Sequence, residues 1–188
     1  DAFGPSLGLE RRDALWAIKA LRDQPLPLFA AAGIRETRTV AEQQEPDVEL
    51  RQMTQGHNVV LDYGHTGLTL RAHPVTFLRQ DLAKRRIVTC AEAMSARDGR
   101  WLMAAGLVLV RQRPGNGNVV FCTIEDETGI ANIVVWSSLL ERFRRAMMGS
   151  SLLLVTGRLQ RSPEGIIHVI AERLDDRSAM MARVPETS

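Results

Sequence analysis

The chain is predicted to be mostly β: a five-stranded barrel of order β-β-β-α-β-β, preceded by a helical segment, a linker and a small α/β connector. Three observations predict it. From Arg100 onward, short aliphatic runs alternate with clusters of turn-forming residues, which is strand punctuation. Isolated glycines, Gly106 and Gly157, stand inside two of those runs, where a small barrel must bend. One stretch of helical spacing, Ser138 to Met148, separates the third run from the fourth.

In chain order, Leu9 to Leu21 carries Ala14, Leu15, Ile18 and Leu21 at helical spacing and predicts a first helix with one buried stripe. Gln24-Pro25-Leu26-Pro27-Leu28-Phe29 cannot continue that helix, because its prolines lack donors and bias their predecessors to extended backbone. Residues 36 to 49 are acidic and poor in large apolar side chains, as a flexible linker is. Val59-Val60-Leu61 and Leu68-Thr69-Leu70 read as short apolar alternations. His73-Pro74 opens a helix with Val75, Leu78 and Leu82 on one face, and Thr89 with Glu92 forms a capping-box pattern for another. Trp101 to Val110 is the first strand and Arg111 to Asn118 a loop. Val119 to Glu125 and Ile130 to Trp136 form a hairpin about Asp126-Glu127-Thr128-Gly129. Ser138 and Glu141 suggest a capping box for the helix bearing Leu139, Phe143 and Met147, which Gly149 would end. Leu152 to Arg161 and Ile166 to Leu174 are the last two strands, about the turn Ser162-Pro163-Glu164-Gly165. This order is that of the OB-fold, which binds oligonucleotides on its strand 2–3 face between the first and last hairpin loops. The expected domains are 1–23, 24–56, 57–98, the barrel at 99–177, and a tail at 178–188.

Composition narrows the function. Net charge is only +2, but residues 71 to 161 hold 14 Lys or Arg against 7 Asp or Glu, while both flanks are net acidic. A locally basic middle suits a polyanion, since phosphate contacts supply most non-specific affinity for nucleic acid; a solvated arginine-rich surface is the alternative. Cys90 and Cys122 lack CxxC spacing and read as reduced core residues. No apolar run approaches a membrane span and no signal-peptide layout opens the chain, so no membrane partner and a cytoplasmic location are expected.

Alternation then selects contact residues. If Val120, Cys122 and Ile124 face the core, Phe121, Thr123 and Glu125 face outward, and the next strand shows Asn132, Val134 and Trp136. An outward phenylalanine in mid-strand suits base stacking, worth about 1–3 kcal/mol per base, unless a one-residue slip returns it to the core. Phe121, Thr123 and Asn132, with Arg111 and Arg113 from the first loop and Arg158, Arg161 and His168 near the last, form the candidate nucleic-acid-binding set. Other chemistry has no support. Glu125-Asp126-Glu127 reads as surface turn residues, His57, His65 and His73 do not converge at that spacing, and Ser137-Ser138 and Ser150-Ser151 lack a histidine in a motif. No catalytic residue, metal or cofactor is expected.

The stretches Ala2-Phe3-Gly4-Pro5-Ser6-Leu7-Gly8-Leu9-Glu10-Arg11-Arg12-Asp13-Ala14-Leu15-Trp16 and Asp62-Tyr63, followed by Thr66-Gly67-Leu68-Thr69-Leu70-Arg71-Ala72-His73-Pro74, resemble the carboxy-terminal third of bacterial C-family DNA polymerases, the error-prone branch most of all. Gly106 to Gly115 and Glu125 to Asn132 continue the likeness. The resemblance implies an α-type subunit for translesion synthesis and induced mutagenesis, with its catalytic carboxylates upstream. It further implies that 1–23 is the tail of a helix-hairpin-helix region and that the barrel holds single-stranded template DNA. The replicative members' further domain after the barrel is expected to be absent. Gln24, Leu28 and Phe29 stand where replicative members carry a sliding-clamp-binding peptide, although Pro25 and Pro27 alter its spacing. A rival reading makes the barrel a docking platform for accessory mutagenesis proteins, and another an anticodon-binding barrel.

Overall fold

The computed structural model describes residues 4–9, 11–20, 54–67, 69, 71–115 and 117–186. The chain divides into two units, Asp1–Gln52 and Met53–Ser188. In the first, α1 (Gly4–Leu7) and α2 (Arg11–Ala20) are helical. The expected helix is there, but among its described residues Ala14 is buried while Leu15, Trp16 and Ile18 are exposed, and Leu21 lies outside the described residues. Gln24, Leu28, Phe29 and the acidic linker lie outside the described residues.

In the second unit β1 (Trp101–Gln112), β2 (Val119–Asp126), β3 (Gly129–Trp136), β4 (Leu152–Arg161) and β5 (Ile167–Asp176) close a barrel in the order β1-β2-β3-β5-β4. β3 pairs with β5 in parallel and every other pair is antiparallel. This is the OB-fold. On β2 and β3 the inward residues are Val120, Cys122, Ile124, Ala131, Ile133 and Val135, all buried, as alternation requires. β1 and β4 depart from alternation, with unbroken buried runs at 104–107 and 152–157. Strands covered on both faces read as continuous apolar sequence.

A helical layer supplies the second cover. Gln55–Thr66 is a helix, α3, where sequence alternation had suggested extended chain. The Thr54 hydroxyl caps its start, accepting from His57 N–H, and Gly67, at φ 68°, ends it. The connector expected to be α/β is helical throughout its regular elements: α3, the 3₁₀ turn Pro74–Leu78, α4 (Arg79–Lys84) and α5 (Cys90–Ser95). Among the described residues an extended contact of the connector is the parallel bridge between Val88 and Ala104, while Leu68 and Leu70 lie outside them. Val75, Leu78, Leu82 and Ile87 pack on Ala105, Leu107, Leu152 and Leu154. Each such side chain contributes about 1.5–3 kcal/mol when fully buried. Beyond β5, where the sequence suggests only a tail, Ser178–Glu186 forms a 3₁₀ segment whose Val184 is buried in that cluster.

At α5 the Thr89–Glu92 capping box is formed in both directions, and Cys90, Ala93 and Ala96 join the barrel core. The single helix expected between β3 and β4 is instead two, α6 (Ser137–Arg142) and α7 (Arg144–Gly149), broken at Phe143. The Ser138–Glu141 capping box does not form, because the helix starts two residues earlier than that box requires, with Trp136 in the cap position.

Both barrel glycines are sterically required. A Cβ on Gly106 would lie 2.6 Å from the Glu125 carbonyl oxygen, and one on Gly157 would collide with the Ile170 carbonyl. The β4–β5 register also shifts between Thr156 and Gly157, a bulge at the bend.

Candidate nucleic-acid interface

Strand register assembles a row across the outer surface. Trp101 pairs with Arg158, Arg158 with Ile170, Ile170 with Val134, Val134 with Phe121, and Phe121 with Gln112. Phe121, between Val134 and Gln112 in this row, is 46% exposed. Val134 shares its face but is buried rather than shown, because Phe121 and Ile170 flank it on either side. The apolar floor so formed holds the phenyl ring up instead of letting it sink into the core.

Thr123 and Asn132 pair directly, and the threonine hydroxyl donates to Asn132 Oδ1 at 3.3 Å. The amide's two N–H groups are thereby turned to other partners, with Asn132 exposed. His168 and Gln160 pair across β4–β5, with Nε2 of the histidine 3.2 Å from Oε1 of the glutamine.

The arginines divide by what they touch. Arg111 donates from Nε to the Met147 carbonyl at 2.6 Å and from Nη2 to the Ser150 carbonyl, capping the end of α7. Arg113 donates to the Gly117 carbonyl at 3.2 Å and closes the β1–β2 loop. Arg161 donates to the Ala96 carbonyl at 3.3 Å, while its backbone N–H bonds Asp98 at 2.8 Å. Carbonyls orient these guanidinium groups without neutralising them. Arg158 differs: it forms an ion pair with Glu172 at 3.2 Å and lies over the Trp101 ring, 5.7 Å from its centroid. Positive charge therefore flanks the Phe121 row at its β1–β2 and β4–β5 ends. Arg144, beside Arg111 and Arg113 in a pocket of about 200 Å³ with Leu140 and Met148, adds to the first end.

Two exposed tryptophans complete the surface and were not among the residues selected from sequence. Trp136 is 49% and Trp101 50% exposed. The parity that turns Phe121 outward also turns Trp136 outward, so that signal was present. Trp101, at a strand's first position, is placed only by its pairing with Arg158.

The Glu125–Glu127 run is not the surface turn it resembles. Asp126 is buried, accepting from Arg79 Nη2 at 2.7 Å, the Cys90 N–H at 2.8 Å, and the Thr128 N–H and hydroxyl at 2.8 and 2.6 Å. Burial alone would raise its pKa, but these hydrogen bonds and the Arg79 charge outweigh it and hold the carboxyl below its ordinary value. Arg79 also grips Glu127, at 2.5 and 3.0 Å. The run thus ties the β2–β3 hairpin to α4 and α5. Burial pushes the Cys122 thiol up to about 11, which the Arg111 charge only partly offsets, and raises Cys90 further, so neither is a nucleophile at neutral pH. Among the described residues no group of three or more His, Cys, Asp or Glu could hold a metal ion, and no helix is long and apolar enough to cross a membrane.

Comparison with known proteins bears on the barrel and on the chain's relatives. Residues 104–176 match the family described as OB-fold nucleic acid binding domain. Over 187 residues, 99% of the chain, it is 67% identical to error-prone DNA polymerase 2 of Rhizobium meliloti, of which it covers 17%. It is 68% identical over 94% of its length to error-prone DNA polymerase of Allorhizobium ampelinum, covering 16%. The chain thus spans about a sixth of these relatives, and its counterparts are carboxy-terminal regions of error-prone DNA polymerases. Among solved structures, asparaginyl-tRNA synthetase from Pyrococcus horikoshii aligns over 47% of the chain and 22% of its own, at 30% identity and a TM-score of 0.40.

Proposed function

We propose that this barrel binds single-stranded DNA and, within an error-prone polymerase, holds the template strand during translesion synthesis. The observation that carries the reading is Phe121: a half-exposed aromatic ring beside the apolar Val134, between loops whose arginines keep their charge. Bases stack on the ring, while Arg113 and Arg161, and Arg111 through its field, draw phosphates. Thr123, Asn132 and His168 offer hydrogen bonds to base edges or sugars, and Arg158 offers a planar face. On this reading the catalytic carboxylates belong to the rest of the polymerase, and Gln24, Leu28 and Phe29 serve as a sliding-clamp peptide.

Fluorescence anisotropy of a labelled single strand, across a salt series and against duplex competitor, tests it. Phe121→Ala is expected to cost about 1–3 kcal/mol of affinity with the salt slope unchanged, because stacking releases no counterion. Equal affinity of variant and parent would refute the site. A docking role for the barrel, recruiting accessory mutagenesis proteins, draws on one observation: Met148 of α7 is 60% exposed. Salt-insensitive binding to a partner protein, with no affinity for single strands, would favour that role.

A further inference from the structure

Next to the Phe121 row lies a cleft of about 420 Å³ bordered by Trp136, Arg158, Ile170, Glu172 and Asp98. Its chemistry differs from that of a phosphate site. A carboxylate, Glu172, stands at its edge, and the neighbouring guanidinium is already paired to it. Repulsion by Glu172 and Asp98 disfavours a phosphate inside. An uncharged planar group bearing hydrogen-bond donors meets the opposite conditions. Trp136 presents half its surface, Arg158 is fixed by Trp101 on one ring face and by Glu172 at Nε, and Ile170 continues the apolar floor from Val134. Val119 pairs with Trp136 and Phe121 with Val134, so Phe121 and Trp136 are diagonal neighbours on one face. Such neighbours sit about 7–8 Å apart, a span that successive bases of an extended strand can bridge.

We propose that this cleft is a base pocket for one nucleotide of the bound strand. Trp136 and Arg158 stack on the base, and the Glu172 carboxylate accepts a hydrogen bond from its exocyclic amino group. Carboxylates read the cytosine amino group in this way, and thymine presents an acceptor oxygen in its place. The domain therefore prefers cytosine to thymine. This rests on the single-strand reading above and gives that surface a base preference.

The test compares the full 188-residue chain with its Glu172→Gln and Trp136→Ala variants by anisotropy on labelled oligo(dC) and oligo(dT) of about 12 nucleotides, a length within the range one OB-fold occupies. The readout is the ratio of the two affinities, which a general change in charge does not move. The parent is expected to bind oligo(dC) roughly tenfold more tightly, as one base contact supplies. Glu172→Gln, which can donate to thymine as well as accept from cytosine, should bring the ratio near unity. Trp136→Ala should weaken oligo(dC) about tenfold, and Trp136→Phe should restore much of it. Both side chains lie at the surface, and an unchanged circular dichroism melt confirms the fold. A parent ratio near unity, or a ratio that Glu172→Gln leaves unmoved, overturns the base pocket while single-strand binding stands. Absence of binding to both oligonucleotides at low salt overturns the parent reading and this one together.

Discussion

Asp126→Asn should destabilise the domain by about 3 kcal/mol, because one buried carboxylate joins three elements. The carboxylate is fully buried at its side chain, whereas Arg79 is 21% exposed there. Removing one partner of a buried pair costs about 3–5 kcal/mol, since the other charge stays behind. Arg79 keeps Glu127 at 2.5 Å and some water, so the low end applies. Asparagine preserves volume and offers one oxygen where the carboxylate had two; its Oδ1 cannot serve both the Thr128 pair and the Cys90 N–H with the same geometry. Urea unfolding at pH 7 measures the effect. With a slope of about 2 kcal/mol/M the midpoint should fall by about 1.5 M. Acid titration adds a second signature. The folded carboxyl lies below its unfolded value, so its stabilisation is complete above the unfolded carboxylate range, about pH 4, and is lost as pH falls through the folded pKa. Asp126→Asn should therefore flatten the acid limb of stability against pH. A loss under about 1 kcal/mol with the limb unchanged would refute the tie between hairpin and helices.

Four further outcomes follow from the same geometry. Burial lowers the pKa of His73, and Glu125, Glu127 and Asp126 only partly restore it. The unfolded chain thus takes up that proton first, and stability should start to fall below about pH 6.5; urea midpoints between pH 7 and 5 should show His73→Gln flatter than the parent. Gly157→Ala should cost about 1–3 kcal/mol or more in thermal or urea melts, since its methyl group meets the Ile170 carbonyl. Arg111→Ala should lower stability by about 2 kcal/mol through lost bonds to the Met147 carbonyl of α7 and the Ser150 carbonyl that follows it. Arg113→Ala should leave stability within about 0.5 kcal/mol but reduce the salt slope of single-strand binding by about 0.7.

The barrel was legible because its signals are local. Aliphatic alternation, turn clusters and the glycines at 106 and 157 fix strands over short spans, and β4 runs over the residues its sequence indicates. Thr89 and Glu92 announce a helix for the same reason. Val59-Val60-Leu61 carried too few residues to separate strand from helix. The decisive marks were Thr54 and Gly67 at the two ends, with Val59 and Tyr63 one turn apart on a single face. The run Leu152-Leu153-Leu154-Val155 held a further unread message: unbroken apolar sequence in a β4 strand requires cover on both faces, and α3, α4 and the 3₁₀ segments provide it.

The interface was legible only where strand parity decides it. Parity turns Phe121, Thr123, Asn132 and Trp136 outward, but cannot show that Phe121 and Ile170 flank and cover Val134. The arginines depend on contacts far apart in sequence: Arg111 reaches Met147 and Ser150, Arg161 reaches Ala96, and Arg158 reaches Glu172. Those contacts give the basic residues different work. A guanidinium bound to neutral carbonyls is fixed in place yet keeps its full charge for a phosphate, whereas one bound to a carboxylate has spent most of it and retains mainly its flat face. On the single-strand reading proposed above, the long-range contacts that sequence hides are therefore what would separate phosphate-drawing arginines from base-stacking ones.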